Sequence, residues 1–324
     1  MIALDSYTPI LNIVLASLLD YILADPKNWL HPVQIMGWII DFLTQLILKY
    51  CATAVQRRLA GIILGICLIF GSGILTDIFL QFVNQFYHWI AIILEIILLA
   101  SCFAGRSLRL ASLDVLTPLT QQNTIKAREK LSQYVGRDTQ NLNENEILRA
   151  VLETVAENAT DGVTAPLFYA LMGLFFDPIL SVSLAIAYKA SSTLDSMIGY
   201  LKEPFLDLGW FSAKFEDILT WFPCRLTVLT LALISGKPKQ ILQICQRDAI
   251  KDPSPNSGWS ESVYGAILKV QLGGINTYQG VIKEKPLLGD PIDPISMEKI
   301  DQALQLTRNC CLMWLMISSI IFYL

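Results

Sequence analysis

Three acidic residues recur at four-residue intervals, Glu153, Glu157 and Asp161. On a helix this spacing places them on one face, where neighbouring like charges cost about 0.2–0.5 kcal/mol per pair. Mg²⁺ binds carboxylate oxygens, and in enzymes it typically takes one or two carboxylates together with substrate phosphates. The row therefore predicts a metal–phosphate site. A solvated acidic face is the alternative, because apolar residues occupy the opposite face at the helical period.

Three further ionisable residues lie beside apolar segments. Lys189 ends an apolar run, Asp195 follows six residues later, and Arg225 stands near the start of a short apolar stretch. Ionisable groups at membrane segments are functional candidates, and an arginine binds phosphate or carboxylate with two parallel hydrogen bonds. The alternative for both cations is anchoring at lipid headgroups, which long basic side chains reach by snorkelling.

A loop punctuated by Pro and Gly, RDAIKDPSPNSGWSES at residues 247–262, combines charged, amide and aromatic side chains. Asp248, Asn256, Gly258 and Trp259 are its candidates for substrate binding. The alternative is an ordinary solvated loop. The chain contains no GxxxxGK[ST] motif that would bind a nucleotide through a phosphate-binding loop.

The segment that must position these residues is broken at Pro178, which lacks a backbone donor and disfavours helix before it. The apolar arms at 164–176 and 178–189 each reach roughly 20 Å, short of a hydrocarbon core of about 30 Å. The pattern favours a re-entrant hairpin that returns the acidic row, Lys189 and Asp195 to one side. One kinked spanning helix of about 25 residues is the alternative, and it would separate them.

Composition indicates a membrane protein. The 324 residues are 53% hydrophobic and 16% charged, against about 25% charged in soluble domains. A net charge of −4 argues against nucleic-acid binding. Basic residues flank the strongest apolar segments on one side only, which predicts a cytoplasmic location for those flanks.

The predicted fold is all-α: a polytopic integral membrane protein with a re-entrant helical hairpin and cytoplasmic helical or loop lobes. We expect a single membrane domain in five parts: N-terminal membrane helices at 1–110, a cytoplasmic helical insertion at 112–160, the hairpin at 161–200, a cytoplasmic or interfacial lobe at 201–305 and a C-terminal membrane helix at 306–324.

Local patterns refine this division. Helices are expected at 123–135 and from a capping box at Asn143 and Glu146. The apolar stretch at 223–234 is too short to span, the lobe at 236–294 is loop-rich, and the last membrane helix begins at Leu312.

Five blocks, in chain order, resemble one known family: DYILADPKNWLHPVQIMGWII, ENATDGVTAPLFYALMG, AYKASSTLDSMIGY, GWFSAKFEDILTWFPCRLT and DPSPNSGWSESVYGAILKVQLGG. They resemble the CobD/CbiB family of adenosylcobinamide-phosphate synthases, and the similarity covers nearly the whole chain. His31 in the first block and Asp217 in the fourth join the substrate-binding candidates.

The resemblance implies an amide-forming ligase of cobalamin biosynthesis. Its members are membrane proteins that join aminopropanol, or its phosphate, to a propionate carboxyl of adenosylcobyric acid. Such a carboxyl must first be activated, which implies ATP and Mg²⁺. Glu157, Asp161 and Asp195 are then expected as metal ligands or general base, and Lys189 and Arg225 on phosphates. The expected setting is the cell membrane with a cytoplasmic active site, and other enzymes of the pathway are possible partners.

Two rival interpretations stay open. Intramembrane charges and a broken hairpin are also features of transporters, although no inverted repeat is visible in the sequence. A non-catalytic membrane sensor or scaffold of the same fold is the second rival, and it predicts that Asp161 and Lys189 are dispensable.

Overall fold

The computed structural model describes residues 8–23 and 31–323. Its helices are α1 (Thr8–Leu23), α2 (Pro32–Tyr50), α3 (Ala54–Phe86), α4 (His88–Cys102), α5 (Gly105–Thr120), α6 (Thr124–Leu131), α7 (Glu144–Asn158), α8 (Ala165–Leu174), α9 (Pro178–Ile198), α10 (Phe205–Leu208), α11 (Trp210–Ile234), α12 (Pro238–Asp248), α13 (Ser257–Leu268) and α14 (Met297–Tyr323). A π-helical turn covers Ala159–Thr164, a 3₁₀ turn covers Ala249–Lys251, and two strands are β1 (Leu272–Tyr278) and β2 (Val281–Leu288).

Four helical stretches among the described residues are long and apolar enough to cross a bilayer: Ala54–Phe86, His88–Thr120, Trp210–Ile234 and Met297–Phe322. Each exceeds the roughly 20 residues that a spanning helix needs. Along α3, Ile63, Leu75 and Phe82 are exposed, as on a helix whose surroundings are lipid. The chain is therefore a polytopic, mainly α-helical membrane protein, as the sequence predicts.

The described residues pack into two units, each made of discontinuous segments. The first unit combines the residues up to 104, residues 165–220 and the residues from 314 onward. The second unit combines residues 105–164 and 221–313.

In the first unit, α8 and α9 form a helical hairpin, which confirms the predicted break. Asp177 has an extended backbone, and its Oδ1 accepts a hydrogen bond from the backbone N–H of Ile179 at 2.8 Å, capping α9. The two helices pack against each other. A Cβ on Gly173 would lie 2.5 Å from the carbonyl oxygen of Leu180, so this close approach needs glycine. Entry of the hairpin into the bilayer and its return stay a prediction.

The second arm of the hairpin is longer than predicted. The helix α9 runs for 21 residues to Ile198, so the expectation that it ends at Lys189 was wrong. The polar residues beyond Lys189 do not interrupt it, and two of their hydroxyls bond back to the preceding turn: Thr193 Oγ1 donates to the carbonyl of Lys189 at 2.7 Å, and Ser196 Oγ donates to that of Ser192 at 2.8 Å. At about 1.5 Å per residue α9 matches the thickness of a bilayer core, so its length alone does not favour a re-entrant arm.

The prediction of a short helix at 223–234 was also wrong, because Pro223 lies inside α11. Proline lacks the N–H that would bond to the carbonyl of Leu219 one turn earlier. The hydroxyl of Tyr169 donates to that carbonyl instead, at 2.9 Å. A side chain thus replaces the missing backbone donor, and the helix continues.

The last helix was likewise predicted too short. The helix α14 begins at Met297 rather than Leu312, since its polar first half contains no helix-breaking residue. Ser296 Oγ accepts from the backbone N–H of Lys299 at 3.3 Å and caps its start.

In the second unit, α7 begins with the predicted capping box. Asn143 Oδ1 accepts from the N–H of Glu146 at 3.0 Å, and Glu146 Oε2 accepts from the N–H of Asn143 at 2.7 Å. The apolar face expected for this helix is buried: Ile147, Leu148, Val151, Leu152 and Val155. The preceding helix α6 starts after its Asn123 cap but ends at Leu131, four residues before the predicted end.

The lobe at 236–294 is more ordered than the sequence predicts. It contains α12, α13 and an antiparallel hairpin of β1 and β2, with Thr277 paired to Ile282. The backbone amides of Gln279 and Gly280, which both have positive φ, donate to the carboxylate of Asp138 at 3.0 and 2.8 Å. The all-α class therefore holds for the chain with this one hairpin as an exception within the described residues.

Candidate functional site

Glu153 is the buried centre of a charge network in the second unit. Its side chain is 2% exposed. Arg137 Nη2 lies 2.5 Å from Oε2, Arg149 Nη1 lies 3.7 Å from Oε1, and the amide of Gly273 donates to Oε1 at 2.8 Å. The alternative of a solvated acidic face is thus wrong for this residue, because α7 is covered by the β-hairpin on that side.

Glu261, on α13, lies beside this network and was not among the sequence candidates. Its side chain is 0% exposed, and its Oε1 accepts from Lys285 Nζ of β2 at 3.1 Å. The other oxygen, Oε2, is buried and has no hydrogen-bond partner within the described part of the chain. Glu157 is half-buried and near enough for its charge to act on both Glu261 and Lys285.

The surroundings set the protonation of this pair. Burial raises the pKa of Glu261 to about 8; the ammonium of Lys285 opposes this shift, and the charges of Glu157 and Glu153 reinforce it. Burial alone would lower the pKa of Lys285, but the three carboxylates outweigh burial and raise it. Lys285 is therefore charged near neutral pH, while Glu261 takes up a proton readily.

A neighbouring serine fixes the position of Glu261. Ser260 Oγ donates to the carbonyl of Ala156 at 2.6 Å and lies 2.7 Å from the hydroxyl oxygen of Thr160. These bonds fasten the first turn of α13 to the end of α7. Glu157 and Glu261, which are far apart in the sequence, are consequently held in one cluster.

Asp161 lies in the π-helical turn that follows α7 and is half-buried. A π-helical turn contains more residues than an α-helical turn. Asp161 therefore does not extend the line of Glu153 and Glu157 at α-helical spacing, and this detail of the predicted row was wrong.

Arg225 contacts two other predicted binding residues, Asn256 and Trp259. Its Nη1 donates to Asn256 Oδ1 and its Nη2 donates to the carbonyl of Pro255, each at 2.6 Å. The guanidinium carbon lies 4.8 Å from the ring centroid of Trp221 and 5.1 Å from that of Trp259. Such cation–π contacts hold the side chain in one orientation. The sequence indicated Arg225, Asn256 and Trp259 separately, and the fold brings them together.

Two other predicted residues shape the loop before α13. A Cβ on Gly258 would lie 2.6 Å from the Cβ of Asp252 and 2.7 Å from the carbonyl oxygen of Ala249, so this position requires glycine. Asp248 is buried and accepts from Arg247 at 2.6 Å, from Lys251 at 2.8 Å and from the amide of Gly289 at 3.0 Å. Its assignment to substrate binding stays a prediction.

The remaining candidates lie in the first unit. Lys189 and Asp195 are half-buried on α9. Asp217 on α11 lies 3.7 Å from Lys214 Nζ, and His31 caps α2. Because Glu157 and Asp161 belong to the second unit, a site that unites them with Asp195 stays a prediction.

A buried carboxylate in the first unit, Glu216 on α11, was also missed. Its Oε1 accepts from the hydroxyls of Tyr188, at 3.4 Å, and of Thr220. Its signal in the sequence was an acidic residue inside a helix long enough to span.

The residues that the structure describes do not form a complete metal site. Among residues 8–23 and 31–323, no three His, Cys, Asp or Glu side chains are grouped to hold a metal ion. Glu157 and Asp161 are half-buried carboxylates. They supply the ligand type that Mg²⁺ takes when it arrives with phosphates, which needs only one or two such groups.

Comparison with known proteins gives a consistent family. The model of the CobD/Cbib protein family matches residues 13–307. A cobalamin biosynthesis protein CobD of Synechocystis sp. is 52% identical and covers 98% of this chain and 94% of its own length. CobD of Halalkalibacterium halodurans is 40% identical and covers 94% of this chain and 93% of its own length. CbiB of Salmonella arizonae is 36% identical and covers 90% of this chain and 91% of its own length. No solved structure matches the chain.

Proposed function

The chain belongs to the CobD/CbiB family, and on that premise we propose that it acts in cobalamin biosynthesis as an amide-forming ligase. Its substrates are adenosylcobyric acid, through one propionate carboxyl, and aminopropanol or aminopropanol phosphate. The observation that carries the proposal is the reach of the family match, because residues 13–307 include the whole cluster around Glu153, Glu261 and Lys285. The relatives are named for cobalamin biosynthesis.

The chemistry requires activation before the amide forms. A carboxylate and an ammonium do not condense in water, so ATP first converts the propionate into an acyl phosphate or acyl adenylate. The neutral amine then attacks the acyl carbon, a C–N bond forms, and the C–O bond to phosphate or AMP breaks. Positive groups that face the transferred phosphoryl group stabilise the charge that develops there, and Lys189 and Arg225 are our candidates.

Mg²⁺ bound with ATP would supply additional charge neutralisation at the phosphates. The chain's candidates to hold it are Glu157, Asp161 and Asp195. Of these, Glu157 and Asp161 present half-buried carboxylates in one unit, which suits a metal that brings phosphate oxygens as its other ligands.

The bilayer has a role in this proposal as well. The cell membrane would hold the enzyme with its active site facing the cytoplasm, where ATP is available. An apolar surface beside the site would accept a large amphipathic corrinoid, and other enzymes of the pathway would deliver or remove it.

The test is synthesis by the full-length protein in lipid nanodiscs, with adenosylcobyric acid, aminopropanol or its phosphate, and MgATP. We expect a product with the mass of the amide, formed only when ATP is present. Asp161→Asn keeps the size of the side chain and removes its charge. It should lower turnover by about 10² or more, the scale seen when one electrostatic contributor to a transition state is lost.

The matched control is Glu284→Gln, which removes an exposed carboxylate from β2 and should leave turnover at the parent level. Corrinoid flux into vesicles without any amide product would favour the transporter instead. Parent turnover in both Asp161→Asn and Lys189→Met would favour the alternative in which those residues have no catalytic part.

A further inference from the structure

The second oxygen of Glu261 is in an unusual position for a buried carboxylate. Oε2 is buried and accepts no hydrogen bond from any residue that the structure describes, whereas Oε1 is bonded to Lys285. Leaving a buried acceptor unbonded is unfavourable, and more so when it is charged. Native proteins fill most such positions, so this oxygen indicates a ligand that brings an N–H or O–H donor.

The donors that the ligand must bring restrict it. Glu153 is paired with two cations, Arg137 and Arg149. With Glu157, Glu261 and Lys285, the cluster contains three acidic and three basic groups and is neutral when all six are ionised, so the unbonded oxygen, not a net charge, selects the ligand. A cationic donor at Oε2 would favour the ionised form of Glu261. A primary ammonium combines a single positive charge with three donors.

We propose that Glu261, with Lys285 and Glu157, forms the subsite that binds the primary ammonium group of the amine donor. The inference rests on the proposed function, which requires an amine. Lys285 holds Oε1 and thereby leaves Oε2 directed to the ligand, while Glu157 supplies the second negative charge.

The ligand can approach from the less buried members of the cluster. Glu261 is 0% exposed, but Lys285 is 29% exposed and Glu157 is half-buried. A narrow aminomethyl end of a small alcohol suits such an approach. A quaternary ammonium has the same charge but no N–H donor, so the subsite should reject it.

The test is calorimetric titration of the full-length protein in nanodiscs with aminopropanol, in the absence and presence of adenosylcobyric acid and a non-hydrolysable ATP analogue. We expect Glu261→Gln to weaken amine binding about 10- to 100-fold, as for the loss of one hydrogen bond to a charged group. The N,N,N-trimethyl derivative should bind to the parent protein as weakly as aminopropanol binds to the variant.

Glu284→Gln is the matched control, because it removes an exposed carboxylate next to Lys285 and should leave the affinity unchanged. A melting curve establishes that each variant is folded. If Glu261→Gln does not fold, Glu157→Gln replaces it, since this half-buried side chain should tolerate the change and still weaken binding.

Equal amine affinity in the parent and in a folded Glu261→Gln or Glu157→Gln variant overturns the inference, as does the absence of amine binding to the parent under both conditions. These results are independent of turnover. If the protein makes the amide but the variants bind the amine as tightly as the parent, the subsite alone is refuted. If amine binding depends on Glu261 but no amide forms, the proposed function alone is refuted.

Discussion

Two fully buried acids in the same unit differ in protonation because their donors differ. Asp248 accepts from two cations and a backbone amide, while Glu261 accepts from Lys285 alone and lies near two other carboxylates. Burial by itself raises the pKa of both. For Asp248 the hydrogen bonds from Arg247 and Lys251 outweigh burial and lower the pKa to about 2, and for Glu261 burial prevails and raises it to about 8.

Asp248→Asn should reveal this difference as a change in acid stability. The folded pKa of about 2 lies below the ordinary aspartate value of 3.8, so the carboxylate contributes stability above the unfolded pKa and loses it as pH falls through the folded one. At about pH 7 the variant should be less stable by about 1 kcal/mol, a value reduced by solvent screening of the half-exposed Arg247 and Lys251. Thermal or denaturant unfolding across pH measures this.

The gap between the parent and Asp248→Asn should close as the pH falls from about 4 to about 2. Glu284→Gln, an exposed change, is the control and should show no such closing. A gap that stays constant across the whole range would contradict the assigned hydrogen bonds.

Helix ends are the elements that local chemistry specifies most clearly. The capping box at Asn143 and Glu146 starts α7, the helix that positions Glu153 and Glu157. Its two reciprocal bonds satisfy two amides that have no partner within the helix. Because α7 is one continuous helix, the cap at Asn143 also helps to hold Glu153 and Glu157 in position.

Asn143→Ala should cost about 1 kcal/mol of stability, the usual loss of an N-cap. The effect should be greatest in the first turn of α7, where hydrogen exchange of the amides at 144–148 should become faster. Asn141→Ala, an exposed change two residues earlier, should leave that exchange rate unchanged. Equal exchange in both variants would show that tertiary packing alone holds this end.

The elements that sequence predicted are those set by neighbouring residues. The break at Asp177–Pro178 and the capping box at Asn143 are both local, and both are confirmed. Continuation of α11 through Pro223 depends instead on the hydroxyl of Tyr169, about fifty residues away, which no local pattern reveals. The strands β1 and β2 also lack a clear alternation of apolar residues, because one contains two glycines and the other a Lys-Glu-Lys run.

The candidate site was predictable only in part for the same reason. Arg225, Asn256 and Trp259 were found by residue type, and the fold shows that they touch. Glu261 was missed, because a single glutamate between two serines is indistinguishable from a surface residue until its burial is known. Lys285 lies in a charged strand, and this pattern suggests solvent exposure. Only the bond from its ammonium to the buried Glu261 identifies it as a candidate.

For the molecule as a whole, the arrangement of the helices across the bilayer decides whether Glu157 and Asp195 can serve the same site. The four apolar stretches make the chain a membrane protein, and α8 with α9 forms a hairpin. A hairpin whose ends return to one side would present Glu157 and Asp195 to the same compartment. We expect that compartment to be the cytoplasm, from the distribution of basic residues.

Cysteine labelling tests this arrangement. In a variant without the native cysteines, single cysteines at the exposed positions Asn158 and Ser196 should react with a membrane-impermeant maleimide only after the cells are permeabilised. A cysteine at Asn84, exposed in the last turn of α3, is the control and should react in intact cells. Reaction of either 158 or 196 in intact cells would contradict the shared cytoplasmic site.

The central claim is that the chain forms an amide from a carboxyl group that ATP has activated, and an isotope experiment tests it most directly. Adenosylcobyric acid with a heavy oxygen isotope in its free propionate carboxyl is incubated with the full-length protein, aminopropanol and MgATP. For each amide formed, one labelled oxygen should appear in inorganic phosphate, if the intermediate is an acyl phosphate, or in AMP, if it is an acyl adenylate. Amide that forms with the label released only into water would contradict activation by ATP, and the absence of any amide would contradict the ligase.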